Sequence, residues 1–411
     1  MEPYADTGMP NPRRLARRMW RLAAAVLLAA CAGLAGAAPD PAWRATQAAG
    51  TWKAVSAARL ADVDPAATPK YNPDHPAQAP WHGTGGQAAV MAAWGGGAFD
   101  DARSTLWIWG GGHGNYAGNE VYSMDLAADS PVFRLRRAPT GAVGNRGVLD
   151  DRREAHAVYF DGRPRSTHSY GNLAVDAAGN LWAAPNDGLY ASGGQNAHAF
   201  RFNAATGDWD VHLATAWSPT DMTGSSVYVP TRNEIVMIPA SLGRYARFDP
   251  DTLAVTLSPR QASGNPNQAL FDPLRNAVII FAPAAVKYLD MALPDIADQA
   301  PLRLSAPPPA DNGGRGWAYD AANDRYVTWD GEREAFLTLT PPPRHWRRDT
   351  WTYGAFEPAR KSVLPPRKAA SGTWGRFFHS TSLRGFGLVN STRQAVYFYA
   401  LDDGSAVAPG H

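Results

Sequence analysis

Apolar and polar positions along this chain alternate in short runs, and long stretches with the three-to-four-residue spacing of an amphipathic helix are missing. Leu106-Trp-Ile-Trp109 is an apolar run rich in aromatic and β-branched side chains, which predicts a buried strand. Gly110, Gly111 and Gly112 interrupt it, and His113, Asn115 and Tyr116 occupy the loop that follows. A second strand is predicted over Glu120–Leu126, where Val121, Tyr122 and Met124 are set against Ser123 and Asp125. Three glycines between two strands allow positive φ and close backbone approach.

The same strand–turn–strand shape recurs in Asn172–Ala183, Val227–Met237, Ala269–Ile280 and Trp317–Thr328. Gln87–Trp109, turning at Phe99-Asp-Asp101, is a fifth copy, and Arg376–Asn390, turning at Arg384-Gly385, is a sixth. The turns concentrate Asp, Pro, Asn and Gly, as hairpins require. Aligned on Asp176, Pro230, Asp272 and Asp320, they recur at about 40 to 55 residues, near the ~50-residue period of one propeller type. Third strands are predicted at Glu120–Leu126, His198–Phe202, Tyr245–Phe248, Val286–Leu289, Ala335–Leu339 and Val396–Leu401. Weaker fourth strands are read at Val132–Arg136, Trp209–Leu213, Ala254–Leu257 and Leu302–Leu304, with Trp351–Phe356 a further candidate. The sixth copy runs out of chain after its third strand, while Thr51–Ser56 looks like a lone fourth strand. Pairing the two removes a free sheet edge. The expectation is an all-β chain folded as a single β-propeller of six four-stranded blades, its ring closed by an N-terminal strand. Seven blades is the alternative, because Pro139–Thr167 and Pro341–Thr373 are long enough to hide another and His156–Phe160 has strand character.

Gly110–Gly112 followed by Val121-Tyr122 resembles the kelch type of β-propeller, the superfamily that includes galactose oxidase. There a glycine pair ends the second strand of each blade and a Tyr-bearing third strand follows. The Trp that follows the Tyr in that family is absent, and Phe133 is the residue offered in its place.

Charge changes the picture little. With 39 Lys plus Arg against 37 Asp plus Glu, the net charge of +2 gives no reason to expect nucleic acid. One short basic cluster stands out at Arg344–Arg348. Residues 1–37 read as a signal peptide: five arginines from Arg13 to Arg21, an apolar Leu22–Ala30, then small residues. Leu28-Ala-Ala-Cys31 also has the form of a bacterial lipobox, which would put a lipid anchor on Cys31. Either reading exports the protein, to the periplasm, the outer membrane or the medium. The propeller then spans 38–410. Cys31 is the single cysteine, so the mature domain has no disulfide and no thiolate metal site. No later apolar run is long enough for a transmembrane span. A monomer is expected.

In a propeller, one face gathers the loops entering each first strand and those joining second to third strands. Mapped onto the repeats, that face receives Trp81, His82, His113, Asn115, Tyr116, His168, Tyr170, Asn267, Arg315, Trp374 and Arg376. His113 is a candidate general base or metal ligand, and His82 and His168 hold equivalent entry positions. Arg315, between glycines, suits a bidentate carboxylate contact. Trp81 and Trp374 are the tryptophans placed in loops, the others reading as blade core.

The resemblance brings two chemistries. Copper-radical oxidases of this fold cross-link a Tyr to a Cys, and without a mature cysteine that cofactor is not expected. Some polysaccharide lyases use propellers with His, Tyr and Arg on this face. In such a β-elimination Arg315 or Arg376 would neutralise a uronate carboxylate, His113 or His168 would take the proton, and Tyr116 or Tyr170 would protonate the leaving oxygen. The reading is an exported propeller that binds or processes a carbohydrate at the channel mouth. A non-catalytic envelope propeller holding a surface protein is the alternative, and a uronate-polysaccharide lyase the further one.

Overall fold

The computed structural model describes residues 40–65, 85–140, 157–159, 161–185, 188–190, 196–215, 223–239, 243–261, 268–294, 300–359, 362–367 and 371–401. Residues 1–37, with Cys31 and the expected signal peptide, the entry residues Trp81 and His82, and Asn267 lie outside them. Among the described residues, twenty-three strands form six antiparallel sheets. The closing strand β1 is Trp52–Ala54. Blade 1 is β2 (Gly96–Asp100), β3 (Thr105–Trp109), β4 (Val121–Asp125) and β5 (Phe133–Arg137). Blade 2 is β6 (Leu173–Val175), β7 (Leu181–Ala183), β8 (His198–Asn203) and β9 (Asp208–Ala214). Blade 3 is β10 (Thr223–Val229), β11 (Glu234–Pro239), β12 (Gly243–Phe248) and β13 (Val255–Gln261). Blade 4 is β14 (Gln268–Asp272), β15 (Ala277–Ala282) and β16 (Ala285–Asp290). Blade 5 is β17 (Ala318–Asp320), β18 (Arg325–Asp330), β19 (Ala335–Thr340) and β20 (Thr352–Phe356). Blade 6 is β21 (Phe377–Ser380), β22 (Gly385–Leu388) and β23 (Tyr397–Ala400), completed by β1.

The chain is a six-bladed β-propeller, closed as its two ends suggested: Trp52 lies opposite Tyr399 and Ala54 opposite Tyr397. Blade 4 departs from four strands. Leu302–Leu304 does not form a full strand, although Leu302 N–H bonds the Val286 carbonyl and Leu304 bridges to Trp351. The interval 341–373 adds no seventh blade, because its strand β20 is the outer strand of blade 5. Of the other long interval, the described part holds a single bridge, Val158 to Pro164.

Local chemistry explains the repeated hairpins. An aspartate ends the first strand in three blades and directly follows it in blade 2, and its carboxylate accepts a backbone N–H across the turn: Arg103 to Asp100, Asn180 to Asp176, Arg275 to Asp272 and Asn323 to Asp320. Such Asx contacts replace backbone bonds that the turn leaves open. In five blades the residue entering the second strand has positive φ: Ser104, Asn233, Asn276, Asp324 and Arg384.

Each pair of adjacent blades shares one hydrophobic cluster, so the core is six seams and both faces of each sheet are covered. Leu106 and Ile108 pack toward blade 6, whereas Trp107 and Trp109 pack toward blade 2. This is why the run at 106–109 is apolar throughout instead of alternating. The six first strands line a central channel of about 590 Å³. Above it, inter-blade bonds tie the first strands together. Ser169 Oγ accepts Gly96 N–H at 2.8 Å, Gly171 O accepts Ser226 N–H at 2.9 Å, and Ser225 Oγ accepts Ala269 N–H at 3.0 Å.

Candidate functional site at the channel mouth

The site is built from the glycine loop after β3 and the segment entering β6. Gly111 N–H donates to Thr167 O and Gly112 N–H to Ser166 Oγ, which draws the two segments into contact. A Cβ on Gly112 would stand 2.3 Å from Gly188 O, so a side chain is excluded there. This packing delivers His113, whose N–H bonds Gly188 O at 2.6 Å, to the exposed surface. His168 lies beneath, 5% exposed. Its ring centroid is 4.8 Å from Trp94, 5.7 Å from His113 and 5.8 Å from Tyr170, and Tyr170 in turn meets Trp374 edge-on at 5.4 Å. Asn115 Oδ1 is 3.4 Å from His168 Nε2.

Four residues of this crescent share the left-handed backbone that the hairpin turns give to Ser, Asn, Asp and Arg, but here it falls on aromatic side chains. Trp94, His113, Tyr170 and Trp374 all have φ between 41° and 52°. Left-handed backbone costs an aromatic residue roughly 1–3 kcal/mol and persists where the surroundings over-determine it. Here they do. Tyr170 N–H bonds Trp94 O at 2.7 Å, a Cβ on Gly95 would collide with Val90 O at 1.8 Å, and one on Gly96 with Tyr170 O at 1.9 Å. Strain gathered in one cluster of aromatic side chains marks a place where their orientation matters.

Burial, and then the neighbouring His113, push the His168 pKa down to about 4. At neutral pH its ring therefore has one donor and one acceptor nitrogen. Trp94 is 43% exposed, an indole face open to solvent beside a neutral imidazole, an amide and a half-buried phenol. An aromatic platform ringed by hydrogen-bonding groups suits a ligand with one apolar face and several hydroxyls.

Of the residues singled out by sequence, the structure brings together His113, His168, Tyr170, Asn115 and Trp374. Trp374 serves as a wall: it is 1% exposed and its Nε1–H bonds Ser371 O. Tyr116 does not reach the surface. It is buried, its hydroxyl donates to Glu120 Oε1 at 2.7 Å, and desolvation drives its pKa well up, so a proton-donating role toward substrate is not open to it. Arg376 is also removed from the mouth: fully buried, it donates to the carbonyls of Gly95, Val389, Met91 and Gly372. Arg315 enters β17 on the expected face, but Asp311 at 2.7 Å and Asp330 at 3.2 Å already pair its guanidinium. His379 lines the channel, with Nε2 4.0 Å from Asp320. Among the described residues no group of three or more His, Cys, Asp or Glu is placed to hold a metal ion, and no helix is long and apolar enough to cross a membrane.

Sequence reasoning missed Trp94 and Glu120. The signal for Trp94 was an aromatic residue directly ahead of three glycines, Gly95 to Gly97. Glu120 carried a weaker one, a charge at the start of a strand whose apolar positions are otherwise buried.

No protein-family model matches the chain, and no curated protein sequence does. Solved structures do. A Bacteroides thetaiotaomicron protein of unknown function is 10% identical, with 85% of this chain and 75% of that one covered and a TM-score of 0.47. An auxiliary nutrient binding protein from the same organism is 11% identical, covering 76% and 69%, with a TM-score of 0.46. A Xanthomonas campestris gluconolactonase is 12% identical, covering 75% and 85%, with a TM-score of 0.44. Likeness at this level says nothing about ligand or reaction.

Proposed function

We propose that this chain is an exported, kelch-like propeller that binds a carbohydrate at the channel mouth, on the crescent of Trp94, His168, His113, Asn115 and Tyr170. The observation that carries the reading is an exposed indole, held in strained backbone, against a buried neutral histidine. Sugars present an apolar C–H face to such a platform and hydroxyls to the groups around it. The lyase reading uses the same His and Tyr but also needs a cation for the uronate. Arg315 is occupied by two carboxylates and Arg376 by four carbonyls, which favours binding over β-elimination.

The test is calorimetric titration against a panel of neutral and acidic oligosaccharides, with ultraviolet absorbance followed for unsaturated uronate. Trp94→Ala is expected to weaken the best binder about tenfold, the equivalent of ~1.4 kcal/mol, while thermal stability stays nearly constant because the side chain is half exposed. A panel with no binder, or unchanged affinity in Trp94→Ala, sinks the reading. Capture of a protein ligand that Trp94→Ala does not affect would favour the envelope interaction propeller.

His168 gives a pH expectation. Its folded pKa, about 4, lies below its ordinary 6.5. The stability it contributes is therefore present above 6.5 and lost as pH falls through about 4. His168→Gln should flatten the acid limb of a plot of unfolding midpoint against pH. An unchanged limb would show that His168 is not the titrating group.

A further inference from the structure

Beneath the mouth loop sits a carboxyl that the binding reading does not use. Glu120 is 1% exposed. Its Oε1 accepts two phenolic protons, from Tyr116 at 2.7 Å and Tyr122 at 2.8 Å. Its Oε2 has no hydrogen-bond partner among the described residues. That oxygen lies against Gly118, where even a Cβ would come within 2.3 Å of it. The surrounding groups are Tyr116 from the mouth loop, Tyr122 from β4, Gln87, whose amide donates to the Tyr122 hydroxyl at 3.0 Å, Asp64, which acts through charge, and Tyr159, a neutral phenol. Asp64 carries the same sign as an ionised Glu120 and opposes its ionisation. The link to the mouth is short. Tyr116 directly follows Asn115, and Ala117 O accepts the Tyr159 hydroxyl proton at 2.6 Å.

We propose that Glu120 is a positioning residue for the mouth site: through Tyr116 it anchors the loop that presents His113 and Asn115, and the proton on its carboxyl sets whether that anchor holds. The two phenols bond the anion more strongly than the neutral acid and so favour ionisation, but burial outweighs them and keeps the proton on Glu120 until the pH passes about 7. Once the proton leaves, an anion is buried beside Asp64 with one oxygen unsolvated. The chain then favours arrangements that let water reach Oε2, and these must shift Tyr116 and Asn115. Burial raises the Glu120 pKa to about 7, against an ordinary 4.5, so the change falls in the physiological range. The folded pKa exceeds the unfolded one, hence the folded state gains from the proton most below about 4.5 and loses that gain as pH rises through about 7.

This rests on the mouth reading for its purpose, but its test contains no ligand and so fails or succeeds separately. The backbone amide of Ala117 and the side-chain amide of Asn115 are followed by transverse-relaxation-optimised NMR from acid to alkaline pH. Both are expected to move with a midpoint near 7, to keep doing so in His113→Gln, to stop in Glu120→Gln, and to shift to lower pH in Asp64→Asn. Loss of the transition in His113→Gln, or its survival in Glu120→Gln, overturns the proposal. If Glu120→Gln does not fold, Tyr116→Phe decides: the Glu120 carboxyl resonance should still titrate while Asn115 no longer follows it, and an Asn115 that still follows would overturn the anchor.

Discussion

Replacing Arg376 by alanine is expected to destabilise the folded protein by on the order of 3–5 kcal/mol, a large loss for one polar side chain. The reason is in its partners. Four carbonyls, from Met91, Gly95, Gly372 and Val389, spend acceptor capacity on this guanidinium in a place closed to solvent. Each buried acceptor left alone costs roughly 1–3 kcal/mol, and partial relaxation recovers some of the total. Arg376→Lys should recover less than half, because an ammonium on a flexible stem cannot span four acceptors as a planar fork does. Two of the carbonyls belong to the segment that carries Trp94, so ligand affinity should fall together with stability. Chemical denaturation of the three proteins checks it. An Arg376→Ala midpoint within about 1 kcal/mol of the parent would mean that water replaces the guanidinium without loss.

The second large effect is expected at the closure. Trp52 is 2% exposed, stacks on Phe336 at 5.4 Å and meets Trp329 and Tyr399 edge-on at 5.3 and 5.6 Å. Trp52→Ala should therefore cost about 3–5 kcal/mol, the usual range for emptying a buried aromatic site. Deleting residues 41–57 goes further, since β23 then loses the partners Trp52, Lys53 and Ala54 and becomes an exposed edge. Sedimentation is expected to show association in the truncated protein and a monomer in Trp52→Ala. A truncated chain that stays monomeric with an unchanged melting temperature would show that β1 is dispensable to the ring.

The hairpins were legible because a few residues decide them locally. Asp176, Asp272 and Asp320 cap their turns wherever the chain later goes. Outer strands were harder: β20 is only partly covered, so its alternation is diluted, and blade 4 shows how far an outer strand can shrink. The site was legible as a loop cluster but not as a set of roles. An arginine that follows a glycine in an entry loop looks the same in sequence whether it faces a ligand, as expected of Arg376, or the carbonyls of residues some 280 positions away, as found. Tyr116 and His113 sit three positions apart in one loop, yet one is buried on Glu120 and the other exposed. Trp94 falls inside the strand–turn–strand copy Gln87–Trp109, whereas 89–92 form a helical turn and Gly95 packs onto Val90. Burial is settled by long-range packing, which no local pattern records.

The closing strand also has a consequence for how fast and in what order the protein is made. Gln47 and Phe398 are bonded across 351 positions, whereas the hairpins within a blade join residues a few positions apart. Contacts of such long separation reward the chain only after a large loop has been closed, and they form late. During synthesis the strand that completes blade 6 emerges before the other described strands and its partner β23 after them. For most of that time Trp52 has no blade to enter, and the growing stack ends in an open edge. A circular permutant cut in the Asp320–Arg325 turn would make the β1–β23 pairing local and early but leave β17 and β18 as the distant partners in its place, so its slowest refolding phase should respond to substitutions in blade 5 and no longer to Trp52→Ala.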